Sequence, residues 1–172
     1  MKKISILLFA MAGCMATVSC SSDDDANNNN NSNADIVGTY RMTAQNSPVA
    51  IDYDGNGTSS MNMMTESPCY NNTVMTINAD GTYTSTYNGI NISNGQSSCA
   101  TSQVTSGTWQ RTGNTLSATT TSGGSGTNSW TWNASNGTMS RMQSNAQYPS
   151  INATTGDFEY GTGNVNYVYT RQ

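Results

Sequence analysis

The chain has 172 residues, the size of one domain, and only 9% of them are charged, against roughly 25% in an average globular protein. Six basic and ten acidic residues leave a net charge of −4, which excludes the basic footprint that nucleic-acid binding requires. There is no histidine, and both lysines, Lys2 and Lys3, sit at the N-terminus; without the usual general bases and nucleophile activators, the chain is not expected to be an enzyme.

Residues 1–19, MKKISILLFAMAGCMATVS, join two lysines to an apolar run and then meet Cys20, the layout of a secretory signal peptide. The run is too short for a transmembrane span and polar residues follow it at once. Thr17-Val18-Ser19-Cys20 resembles the cleavage box of bacterial lipoproteins, whose cysteine becomes the lipid-carrying first residue. Cys14 competes through Met11-Ala12-Gly13-Cys14, but it would leave an apolar run of only about nine residues and strand MATV on the mature chain. Cys20 is therefore the expected acylation site, and it anchors the protein to a membrane. Residues 20–35 continue as an Asn-, Ser- and Asp-rich tether that has no large apolar residues to bury. Its acidic cluster Asp23, Asp24 and Asp25 resembles the export tag of surface-displayed lipoproteins in Gram-negative bacteria. The expected location is the outer membrane, facing outside.

Residues 36–172 carry no convincing helical stripe. Thr, Tyr, Val and Trp recur in short alternating runs between Gly- and Asn-rich turns, which predicts an all-β domain of about eight to ten strands. Alternation places Val165, Tyr167, Tyr169 and Arg171 on one face, and Trp130 with Trp132 on another. Gly-Thr occurs seven times at irregular intervals; glycine permits a turn and β-branched threonine opens the next strand. Asn78-Ala79-Asp80-Gly81 and Thr112-Gly113-Asn114 read as hairpins. Short strands with local connections favour an up-and-down antiparallel barrel over a sandwich. TTTSGGSGTN (119–128) and YPSINATTG (148–156) read as loops. Cys69 and Cys99 remain after export, and in an oxidising envelope they are expected to pair.

DYDGNG, residues 52–57, fits the first half of a calcium loop, D-x-[DN]-x-[DN]-G. Asp52, Asp54 and Asn56 would offer side-chain oxygens and Thr58 a carbonyl. The twelfth position, where a bidentate glutamate belongs, is Met63, and Glu66 lies three residues late. Asp, Asn and Gly also make ordinary surface turns, and the plain hairpin is the favoured reading. No other cofactor is expected.

IVGTYRMTA, SPCYNNTVMTINADGTYTSTY, Cys99, GTWQRTGNTL and the closing VNYVYTRQ together resemble the lipocalin-like domains of bacterial envelope lipoproteins. That family carries Gly-x-Trp on its first strand, with a late arginine packed over the tryptophan. The corresponding residues here are Gly38-Thr39-Tyr40 and Arg171, with tyrosine in place of tryptophan. The resemblance implies a barrel whose interior or mouth holds a small apolar ligand. Tyr83, Tyr87, Trp109, Trp130, Trp132, Tyr167 and Tyr169 would line such a pocket or stack on sugar rings; alternatively they are ordinary barrel core. Met61, Met63 and Met64 form an adaptable apolar patch for which core filling is the plainer reading. Asp157 and Glu159, two apart, would be the paired carboxylates of a glycosidase or, more plainly, a solvated edge. The expected function is a monomeric, surface-anchored barrel that captures a small hydrophobic molecule or a glycan. The alternative is a structural or interaction lipoprotein with a filled interior. An open, lined cavity would separate the first from the second.

Overall fold

The computed structural model describes residues 33–172. Cys14, Cys20 and the acidic cluster Asp23, Asp24 and Asp25 lie outside the described residues. From Gly38 the alternating pattern is realised as strands whose inward faces carry the large apolar residues. In chain order they are β1 (Gly38–Ile51), β2 (Ser60–Asn62), β3 (Val74–Ile77), β4 (Thr82–Tyr87), β5 (Ile90–Ser93) and β6 (Gln96–Cys99). There follow β7 (Gln103–Thr112), β8 (Thr115–Ser122), β9 (Gly126–Asn133), β10 (Thr138–Ile151) and β11 (Phe158–Arg171).

Strands β1, β3, β4 and β7 to β11 pair antiparallel in that order, and β11 returns to β1 with Tyr40 opposite Arg171 and Asn46 opposite Asn166. The sheet is thus a closed eight-stranded up-and-down barrel, the closure that removes free edges. Strand β2 is an extra strand, paired with the far end of β1. The pairing of β1 with β11 slips between Met42 and Ala44, a bulge that bends the strand. A second slip falls between Gln143 and Ala146 of β10, where Asn145 takes a left-handed φ of 53° that asparagine tolerates better than most residues. Both expected hairpins form, with Gly81 (φ 84°) and Gly113 (φ 59°) supplying the left-handed turn positions.

Of two segments expected as loops, 119–128 is largely strand, whereas 148–156 is strand to Ile151 and a turn from residue 152 onward. In 119–128 the ends of β8 and β9 pair, with Thr119 opposite Thr127, and only residues 123–125 turn. A Cβ on Gly123 would stand 1.9 Å from the Val104 carbonyl oxygen, so this glycine serves a close backbone approach rather than mobility. In 148–156, Tyr148 to Ile151 pair with Gly161 to Phe158, and Asn152 caps the turn by accepting from the Thr154 and Thr155 N–H groups. In these paired stretches ladder pairing and side-chain burial override a turn-like composition.

A single-turn helix, α1 (Met63–Glu66), was not expected; the Asn62 side chain caps it by accepting from Met64 N–H, and it buries Met63 and Glu66. Cys69 and Cys99 are bonded, as expected, fastening the 3-10 turn Pro68–Tyr70 to β6. The β5–β6 hairpin stands apart from the barrel sheet and docks on the start of β11. Tyr160 donates to the Ile90 carbonyl and accepts from Ile92 N–H, both at 3.1 Å.

One end of the barrel is packed shut. Ile36, Tyr40, Leu116 and Met139 are fully buried there, and the Tyr40 ring meets the edge of Trp132 with centroids 5.8 Å apart. Tyr40 donates to the Ile36 carbonyl at 2.5 Å. Asp35 pairs with Arg111 and accepts from Trp132 Nε1. The Arg171 guanidinium, expected over the Tyr40 ring, instead donates to the backbone carbonyls of Asp35 (2.8 Å) and Val37. Gly38 makes that possible: a Cβ there would stand 2.9 Å from Arg171 Nε.

Candidate functional site

The other end of the barrel holds a cavity of about 290 Å³, at the lower limit of the ~300–1,000 Å³ typical of ligand sites. Five aromatic residues line it: Tyr83 and Tyr87 of β4, Trp130 of β9, and Tyr167 and Tyr169 of β11. The space exists because neighbouring strands contribute small or unbranched side chains, namely Ser85, Thr105, Ala118 and Met75. Gln103, Asn128 and Gln143 add amide groups, and Arg141 is the one charged residue in the lining.

Hydrogen bonds hold these rings in place. The hydroxyls of Tyr83 and Thr120 are 2.6 Å apart, tying β4 to β8. Tyr87 donates to Gln45 Oε1 at 2.9 Å, and Gln45 Nε2 donates to the Tyr70 hydroxyl at 3.3 Å. Gln45 is buried, so this chain of bonds satisfies polar groups that would otherwise be costly. Trp130 meets Tyr169 edge-on with centroids 5.1 Å apart. Burial raises the pKa of Tyr87, Tyr167 and Tyr169. They remain neutral hydroxyls, able to donate as well as accept, throughout the ordinary pH range.

Arg141 lies close to two of the rings. Its Cζ lies 5.5 Å from the Trp130 ring centroid and 5.6 Å from that of Tyr167, within cation–π range of both. Nη2 donates to Gln143 Oε1.

Of the seven aromatic residues singled out in the sequence, Tyr83, Tyr87, Trp130, Tyr167 and Tyr169 meet around the cavity. Trp109 and Trp132 do not; they are buried in the packed part of the barrel, where Trp109 Nε1 donates to the Asn78 carbonyl at 2.9 Å. Arg141, Gln143, Gln103 and Asn128 were not singled out. The signal for Arg141 and Gln143 was strand parity: they alternate with Met139 and so share its inward face.

At the end of β1, one carboxylate oxygen from each of Asp52, Asp54 and Glu66 lies within 4.8 Å of the other two. Helix α1 is what brings Glu66 back to the loop. Most of the loop's oxygens are engaged locally: Asp52 accepts from Gly57 N–H, Asp54 from Asn56, Asn56 from Thr58 N–H, and Glu66 from Tyr53 N–H. The exception is Asp52 Oδ1, which is buried without a hydrogen-bond partner among the described residues. Met63 packs into the core, Met64 lies against it and Met61 is exposed. Asp157 and Glu159 are exposed, and Glu159 accepts from Asn152.

Residues 36–170 match the family described as the lipocalin-like domain. No curated protein matches the chain.

Proposed function

Because the chain belongs to the lipocalin-like domain family, we propose that it is a binding module whose barrel captures a small, largely hydrophobic molecule or a glycan. The observation that carries this reading is the aromatic-lined cavity, where a purely structural barrel would be filled. Aromatic faces supply apolar area and stacking, while the amides and tyrosine hydroxyls orient polar substituents. The protein acts by binding rather than catalysis, as a monomer on a lipid anchor at Cys20 in the outer membrane, facing outside. Sequence supports the anchor, and mass spectrometry of the native N-terminal peptide tests it: acylation at Cys14, or none at Cys20, overturns the assignment.

The cavity is tested by titrating the full chain with the uncharged fluorophore N-phenyl-1-naphthylamine. One saturable site is expected, and Ala118→Phe, which fills the space between β8 and the facing rings, should abolish it. Absence of saturable binding favours the filled, structural alternative.

A second reading concerns the loop after β1. We propose weak calcium binding by Asp52, Asp54 and Glu66, with Asn56 and the Thr58 carbonyl completing the set. What supports it is the buried, unpartnered Asp52 Oδ1 beside Glu66, itself only 3% exposed. Buried carboxylate oxygens without a counter-charge are unfavourable, and a divalent cation offsets that cost. With no bidentate twelfth residue, affinity should fall near ~10⁻⁴–10⁻³ M. At tenfold saturation, calcium should stabilise the fold by about 1.4 kcal/mol. Melts in EDTA and in excess calcium should separate for the wild type and coincide for Asp54→Ala; identical wild-type melts overturn the site.

A further inference from the structure

Within β10, whose Met139, Ala146 and Tyr148 are buried, one adjacent pair runs against hydropathy. Arg141 faces the cavity opposite Tyr167, while its apolar neighbour Met142 points outward and is 61% exposed. A slip of one residue would exchange them, but it would also turn out Met139, which is fully buried on the same face as Arg141. The pairing of β10 with β11 holds the arginine inside.

Nothing in the lining neutralises it. No aspartate or glutamate faces the cavity, and the ion pair found among the described residues is that of Arg111 with Asp35. A guanidinium offers five N–H donors. One group bonds Gln143 Oε1, and the others have no protein acceptor among the described residues. The Trp130 and Tyr167 rings both lie within cation–π range of the guanidinium and offer it no hydrogen-bond acceptor. A partly desolvated cation without a counter-ion weakens a fold, so an arginine held in an aromatic cavity with no carboxylate in the lining points to a ligand's charge.

We propose that the cavity selects a small amphiphile bearing one carboxylate, which takes Arg141 as its counter-ion and lays its apolar body against Met75, Tyr83, Ala118 and Trp130. This rests on the ligand-binding reading above and adds the charge of the ligand to it. A carboxylate matches the planar fork bidentately. A phosphate dianion would leave a negative charge unmatched, since the remaining donors are neutral amides and hydroxyls. At ~30 Å³ per water-sized group, the cavity holds a body of about ten such groups.

Decanoate, decanol and decyl phosphate probe this in the full chain, read by tryptophan fluorescence and by displacement of N-phenyl-1-naphthylamine. Decanoate should bind at least about tenfold more tightly than decanol, the order expected of a charge-assisted hydrogen bond. That ratio should fall to near parity in Arg141→Met and stay high in Arg141→Lys, which keeps the charge. Circular dichroism melts establish that each variant is folded. Should Arg141→Met not fold, collapse of the wild-type ratio when decanoate is protonated at acidic pH, with decanol binding retained, gives the same answer. Binding of decanol as tight as decanoate overturns the carboxylate assignment while leaving the hydrophobic site standing. A preference for decyl phosphate overturns the monoanion assignment. Absence of binding by all three probes, with the fluorophore also unbound, overturns both readings together.

Discussion

The two ends of this barrel are made by the same strands but treat polar groups in opposite ways. At the closed end Asp35 holds Arg111 and Trp132, Arg171 holds two backbone carbonyls, and the Tyr40 hydroxyl holds the Ile36 carbonyl. The aromatic rings there are sealed among aliphatic side chains. At the wide end the rings stand around a cavity, and Arg141 is held by two aromatic faces and one amide with no carboxylate. A buried polar group engaged by its own chain reads as structure. A charged group close to rings and left with open donors reads as a place prepared for something else.

The sharpest way to break this contrast is a pair of equivalent truncations. Tyr40→Ala empties a sealed site and should cost about 3–5 kcal/mol, as for other large aromatic deletions. Tyr167→Ala borders space that is already open and should cost only about 1–2 kcal/mol. Urea unfolding measures both; equal losses would mean that the wide end is as tightly packed as the closed one.

The disulfide tests whether the wide end needs a covalent brace. Replacing Cys69 and Cys99 by serine releases a loop with a sequence separation of 30 residues, worth ~3–4 kcal/mol in the chain-entropy model. The melting temperature should fall by several degrees while saturable fluorophore binding persists in the cold. If binding vanishes although the barrel stays folded, the brace shapes the cavity itself.

Alkaline pH comes next. Burial pushes Tyr40 up to about 12 from its ordinary value of 10.0 and raises Tyr70, Tyr87 and Tyr169 as well. Unfolded tyrosines lose their protons near pH 10 while the folded ones keep theirs. The stabilisation is therefore fully present below pH 10 and is lost as pH rises toward 12 and above. Melting temperature should drop steeply over that range, and Tyr40→Phe should make the drop shallower. An unchanged slope in Tyr40→Phe would assign the loss to the tyrosines of the wide end.

The smallest effect is the most diagnostic. Asp35→Ala leaves the Arg111 guanidinium and the Trp132 N–H short of an acceptor and should cost about 1–2 kcal/mol. Arg141→Met exchanges a partly desolvated charge for an apolar group of similar length, and the change should lie within about 0.5 kcal/mol of zero or be stabilising. A loss from Arg141→Met as large as that from Asp35→Ala would make Arg141 a structural residue and remove the contrast between the ends.

Strand periodicity was legible along most of the domain. Val165, Tyr167 and Tyr169 do share an inward face, as do Trp130 and Trp132, because side-chain alternation is a property of the extended backbone. Two turn-rich segments misled where they pair, because Gly, Ser and Thr read as loop when a partner strand is not in view. At Gly123 the glycine answers the approach of the Val104 carbonyl, which lies on another strand. Five aromatics of the cavity were visible as aromatics, but nothing local separated them from Trp109 and Trp132. That distinction depends on where Ala118, Ser85 and Thr105 leave room, which is a property of neighbouring strands.

The sequence by itself determined the fold class, the closing strand and the disulfide partners. The first follows from local conformational preference, the second from the family resemblance, and the third from Cys69 and Cys99 being the two cysteines of residues 36–172. It also marked the Asp52 loop, though not the return of Glu66 to it, which required the unforeseen turn of α1. Only the tertiary structure decided which end of the barrel is sealed, why Arg171 reaches the backbone beside Gly38, and that Arg141 rather than Met142 faces inward. Those outcomes depend on the register between strands far apart in the chain. Register is fixed by the summed pairing of whole strands, which no single stretch of residues encodes.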